Sequence, residues 1–161
     1  MNEELRSFYR LVQRTRSGVL DWLETLPPDV LVRERDDFAF GSINGIYAHI
    51  ADCYLWWLGS VARGHERREF DGGSVAALRE AFATVDSIVE ESLAYFTALD
   101  EPVVWTAPEG HQETFTRFWL VLHPITHEFH HKGQALALAR VLGHPHHGTP
   151  DTDLVTPFPP S

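Results

Sequence analysis

The sequence predicts an all-α fold: a four-helix bundle with long connections and an irregular C-terminal tail. Three observations carry that prediction. Four segments place apolar residues at three- and four-residue intervals, the spacing that lines one face of a helix. Each segment is bounded by a capping residue or by a Pro/Gly break. Strand signals are too few to build a sheet with a core of its own, so the four helices must bury their stripes against one another. At 161 residues the chain is read as one domain spanning residues 1–161, long enough for one substantial core.

The first helix is expected over residues 2–26, with Leu5, Phe8, Leu11, Val12, Val19, Trp22 and Leu23 on its apolar side. Pro27 and Pro28 end it, because neither donates a backbone hydrogen bond, and residues 29–40 read as an extended connection. Ser42 is an N-cap for a second helix reaching residue 63, with Ile43, Ile46, Ile50, Tyr54, Trp57 and Leu58 on one broad side. Residues 64–73 are polar and end in an Asp-Gly-Gly turn. Ser74 caps a third helix to residue 99, striped by Val75, Leu78, Phe82, Val85, Val89, Leu93 and Phe96. Residues 100–113 hold two prolines and a glycine and form a loop, with a short strand at residues 103–105. The fourth helix begins near Thr114 or Thr116 and ends at Gly143, with Pro124 expected to kink it or delay its start. Five of the ten prolines follow His144, hence the irregular tail.

Composition narrows the function. Thirteen basic residues face twenty-three acidic ones, a formal net charge of −10, which argues against a nucleic-acid partner that would need a concentrated basic surface. Cys53 is the single cysteine, so neither an intrachain disulfide nor a cysteine-based zinc cluster can form. The N-terminus lacks the layout of a signal peptide and no apolar run reaches the roughly 20 residues that span a bilayer. The expectation is a cytoplasmic protein with no membrane partner.

The chemistry concentrates in the fourth helix, where His123, His127, His130 and His131 fall within nine residues. At ~100° per residue, His127 and His131 share a face with Leu138, whereas His130 is rotated to a helix edge. Two imidazoles facing an apolar interior are costly unless both find partners, and a metal ion satisfies both at once. His123 falls nearer that face than His130 and is the rival to either member of the pair. The third ligand is sought on the second helix, whose only histidine, His49, has Cys53 and Trp56 on its own face. Three histidines leave one position for water or substrate, the arrangement of a catalytic rather than a closed structural site. Asp52 and Gln134 are candidates to orient an imidazole. A second apolar side, with Phe118, Leu122, Ile125, Phe129 and Leu136, anticipates a neighbouring helix or a dimer contact.

Two other motifs overlap these residues. His127-Glu128-Phe129-His130-His131 fits H-E-x-x-H, the zincin peptidase pattern with Glu as general base, but no Glu follows Glu128 and there is no upstream sheet to hold a peptide. Glu128-x-x-His131 fits half of a di-iron bundle motif, whose second copy is missing. His144, His146 and His147 are read as a solvated loop, as are His65 and His111.

The run His127-x-x-x-His131-Lys132-Gly133-Gln134, together with Ser42-Ile43, Ala48-His49-Ile50, Trp56-Trp57-Leu58 and the tail Thr149-Pro-Asp-Thr-Asp-Leu154, resembles the DinB/YfiT-like family across essentially the whole chain. Lys132 stands where the family pattern has Arg, which keeps the charge but loses the guanidinium fork. The resemblance implies a four-helix bundle, typically a homodimer, in which His49, His127 and His131 bind a divalent metal: zinc, nickel or iron. It also implies a small-molecule substrate and, in some relatives, a low-molecular-weight thiol as cosubstrate, the activities being thiol S-transfer, isomerisation or metal-dependent hydrolysis. Glu128 and His130 are candidates for proton transfer. The function expected is therefore a metal-dependent transferase or hydrolase. Its alternative is a non-catalytic stress-response or binding protein with a structural metal, and the minor one is a zincin-type peptidase.

Overall fold

The structure is a computed structural model describing residues 3–70, 72–146 and 154–155. It is mostly helical: α1 Glu3–Glu24, α2 Pro28–Val32, α3 Ile43–Tyr54, a π-helical continuation Leu55–Val61, α4 Val75–Tyr95 and α5 Arg117–Val141, with β1 Pro102–Thr106 and β2 Gln112–Thr116 between the last two. No helix among the described residues is long and apolar enough to cross a membrane.

The predicted caps form. Ser42 Oγ accepts the Gly45 N–H at 3.0 Å, Ser74 Oγ accepts Ala77 N–H at 3.1 Å, and Thr116 Oγ1 accepts Trp119 N–H at 3.1 Å. Each satisfies an orphan donor of a first helical turn. Four expectations need correction. Residues 28–32 are a short helix rather than extended chain, because Pro28 at its first position lacks only a hydrogen bond that position never makes. α4 stops at Tyr95, four residues early, where Phe96 turns into extended backbone and buries its ring. The anticipated strand acquires a partner, so the chain is not purely α: β1 and β2 form an antiparallel hairpin with Pro102 opposite Thr116 and Trp105 opposite Glu113. Pro124 does not delay the start of α5, which runs from Arg117 through it; packing against α3 outweighs the one hydrogen bond Pro cannot donate.

α3 is central, packing on α2, α4 and α5, while α1 lies against α4. The core is mainly aliphatic and aromatic, and a charged network crosses it. Arg16, buried in the apolar stripe of α1, donates from Nε to Glu128 Oε1 at 2.8 Å and from Nη2 to Oε2 at 3.1 Å. Its Nη1 reaches Asp86 Oδ1 at 2.8 Å, Tyr54 O–H donates to Glu128 Oε2 at 2.7 Å, and Tyr9 O–H to Asp86 Oδ1 at 2.6 Å. α1, α3, α4 and α5 each contribute a member, so one polar network fixes how the helices that carry the histidines sit relative to each other. Further along the chain, Leu154 packs on the core and Val155 N–H donates to Thr15 Oγ1 of α1 at 3.0 Å. His147 and residues 149–153 of the tail motif lie outside the described residues.

Candidate metal centre

His49 comes from α3, His127 and His131 from α5. Their ligand nitrogens lie within 4.8 Å of one another, a grouping of metal-binding type among the described residues. His127 Nε2 is 3.1 Å from His49 Nε2 and 3.0 Å from His131 Nε2. With metal–nitrogen bonds of ~2.1 Å, such separations subtend roughly 90–95° at a shared ion. For one ion to take all three nitrogens at that bond length, the 4.8 Å span of the group must close to ~4.2 Å or less between His49 and His131.

Protons alone cannot satisfy this cluster. Gln134 Oε1, which only accepts, lies 2.7 Å from His131 Nδ1, so Nδ1 carries the proton and His131 Nε2 presents a lone pair. One proton on His127 Nε2 completes one of its two contacts; otherwise its lone pair faces that of His131. His127 Nδ1 is buried with no hydrogen-bond partner. A single cation would satisfy all three imidazoles together once the group closes on it, and a donor set of three imidazoles suits zinc, nickel or iron. Burial lowers the pKa of all three: His127 falls to about 4, with the neighbouring His131 and His49 adding to the effect, His49 is lowered with His131 as the next cause, and His131 is lowered despite Gln134. The imidazoles are thus held in the neutral form that ligates metal.

The two sides of the cluster differ. On one side the Phe40 ring stacks on His49 at 3.8 Å between centroids and meets His131 edge-on at 5.4 Å. Phe40 adopts φ 63°, a left-handed conformation uncommon for a bulky residue. The turn depends on Gly45, because a Cβ there would sit 2.1 Å from the Phe40 carbonyl oxygen. On the other side a cavity of about 360 Å³ is bordered by His49 and His127 and walled by Trp56, Trp57 and His123. His123 does not join the ligand group; it stacks on Trp119 at 4.4 Å and meets Trp57 edge-on at 5.1 Å. Asp52 and Cys53 also line the cavity. Burial pushes the Cys53 thiol up to about 12, so it is no thiolate at neutral pH. Asp52 is raised too, chiefly by burial.

Gln134 orients an imidazole as its spacing suggested, and its amide nitrogen lies 3.2 Å from His130 Nε2. Asp52 does not; its Oδ1 accepts the Phe70 N–H at 3.1 Å. Neither proton-transfer candidate borders the cavity. His130 is exposed, and Glu128 has both oxygens engaged by Arg16 and Tyr54 in the core, which also removes the base that the peptidase motif requires. Lys132 is buried with Nζ 4.4 Å from the Phe129 ring centroid. His146 packs against Trp22 rather than standing in a solvated loop. Phe40 escaped sequence reasoning, since nothing in a loop's composition announces a stacking partner. Arg16 had a signal: it is a lone charge in an apolar stripe.

No curated protein matches the chain. A family model does match it over residues 1–155, nearly its full length, and on that ground the chain belongs to the DinB family.

Proposed function

We propose that this protein is a metal-dependent enzyme of the four-helix-bundle type, with one divalent ion held by His49, His127 and His131. In this reading it transfers a low-molecular-weight thiol to a small molecule or hydrolyses one. The observation that carries the reading is the convergence of three neutral Nε2 atoms, two contacts at 3.0 and 3.1 Å, beside a cavity rather than inside a sealed core. A closed structural site would supply a fourth protein ligand.

A divalent metal bound here would lower the pKa of a water or thiol brought to it and polarise an acceptor group. The rest is done by the chain. Trp56 and Trp57 give the slot an apolar wall suited to a small, partly apolar molecule. Gln134 holds His131 in the tautomer with Nε2 free. Asp52, its Oδ1 tied to Phe70 and its pKa raised by burial, is the carboxylate placed to take up or return a proton. Cys53 stays a thiol and takes no part as nucleophile. A homodimer and a single cytoplasmic domain belong to the same reading.

Metal analysis of the purified protein, with His49→Ala and His127→Ala, tests the site. One ion per chain in the wild type, lost in both folded variants, is expected. Turnover of a thiol with an electrophilic acceptor, or of a model ester, should vanish in the same variants. A wild type that folds without metal and ignores chelators would refute the reading.

A further inference from the structure

We infer that Arg67 selects the substrate: the molecule drawn into the metal cavity carries a carboxylate a few bonds from the group that meets the metal, and the Arg67 guanidinium receives it. The inference rests on the metal reading above and adds the chemical class of ligand.

Arg67 lies on the connection between the π-helical segment and α4, yet it lines the metal cavity. The connection is folded back by two backbone bonds, Gly64 N–H to Ser60 C=O at 2.9 Å and His65 N–H to Gly59 C=O at 3.1 Å, with Gly64 at φ 70°. Asp52, inside the cavity, then pins the far end by accepting the Phe70 N–H at 3.1 Å. Between these anchors the Arg67 guanidinium sits 5.6 Å from the Trp56 ring centroid, a cation–π arrangement that holds it at the wall. The same ring meets Trp105 of the hairpin edge-on at 5.6 Å, so the wall itself is braced.

Among the side chains lining the cavity Arg67 is the one permanent cation, in a protein of net charge −10. Its ion partner is Glu69 at 3.1 Å, and both side chains are about two-thirds exposed. A pair that open to water holds weakly and yields to a carboxylate that binds in a fork at the cavity wall. Trp56, Trp57 and His123 offer a carboxylate no comparable grip, and Asp52 on the same lining repels one, so Arg67 decides which end of a ligand points outward.

A thiol probe tests this directly, because its sulfur anchors on the metal and its far end reports on the wall. Zinc-loaded protein would be titrated calorimetrically with 3-mercaptopropionate and with 2-mercaptoethanol. The wild type should prefer the carboxylate by about two- to fivefold, the scale of a charge pair open to water. R67Q should abolish most of that preference while zinc content and 2-mercaptoethanol affinity stay unchanged, and R67K should retain part of it. An equal preference in R67Q and wild type, or none in the wild type, overturns the inference and leaves the metal reading intact. Protein that binds no zinc, or zinc-loaded protein that takes neither thiol, overturns both.

Discussion

His49 Nε2 and His127 Nε2 lie 3.1 Å apart although 78 positions separate them in the chain. α3 and α5 pack side by side, and the network from Arg16 through Glu128 to Tyr54 holds them at that spacing. The ligand set is therefore as good as the packing that presents it, and perturbing the supports should be as informative as removing the ligands.

Gln134→Ala removes the acceptor at His131 Nδ1. The ring is then free to rotate and to choose the other tautomer, so metal affinity should fall about 10- to 100-fold, with stability little changed. Competition with a chromophoric chelator measures the first and urea unfolding the second. Unchanged affinity would mean that packing alone orients His131.

Gly45→Ala places a Cβ 2.1 Å from the Phe40 carbonyl oxygen, and backbone cannot move aside as a flexible side chain does. The turn must open and lift the Phe40 ring from His49. We expect a loss of about 2 kcal/mol or more in unfolding free energy, in the range of strained-backbone substitutions, with weaker metal binding. Phe40→Ala is the control: it keeps the turn and should alter metal affinity without the large stability loss.

Breaking the buried ion pair with Glu128→Gln should cost about 3–5 kcal/mol, because Arg16 is left charged in the core. Replacing both partners with Arg16→Met and Glu128→Leu should recover part of that loss, since the buried Tyr54 O–H then loses its acceptor and Asp86 its partner. Denaturant titration of the single and double variants checks this. Because the network sets the spacing of α3 and α5, the double variant should be more stable than Glu128→Gln but bind metal more weakly than the wild type.

Acid should destabilise the metal-free protein through His127. Above its ordinary value of 6.5 the imidazole is neutral folded or unfolded, and protonation adds nothing. Between 6.5 and about 4 the unfolded chain binds a proton that the folded chain refuses, so stability falls as pH falls, levelling below about 4. Urea midpoints at pH 7.5, 6 and 4.5 should show a steeper decline in the wild type than in His127→Gln. Parallel declines would show that carboxylates alone carry the acid sensitivity.

Much of this was legible in the residues. The four-residue interval between His127 and His131 is a statement about one helix face, and it held because α5 is a single uninterrupted helix. The caps at Ser42 and Ser74 were equally local. The hairpin was half-seen: residues 103–105 carry β-forming side chains, whereas Gln112, Glu113 and Thr114 join only because the partner strand offers its backbone. Glu128 shows the opposite failure. Beside His127 it looked like part of the metal chemistry, but one position along a helix is a turn of about 100°, which carries it into the core toward Arg16.

The sequence by itself determined the long helical segments, their caps and a pair of histidines able to grip an ion from one side. Those properties follow from local backbone geometry and spacing. Only the tertiary structure decided that His49 closes on that pair, that Phe40 covers one side while a cavity opens on the other, and that Arg67 stands at its wall. Each of these relations joins residues from different elements, and their distances are set by how helices and loops pack, which no periodicity encodes.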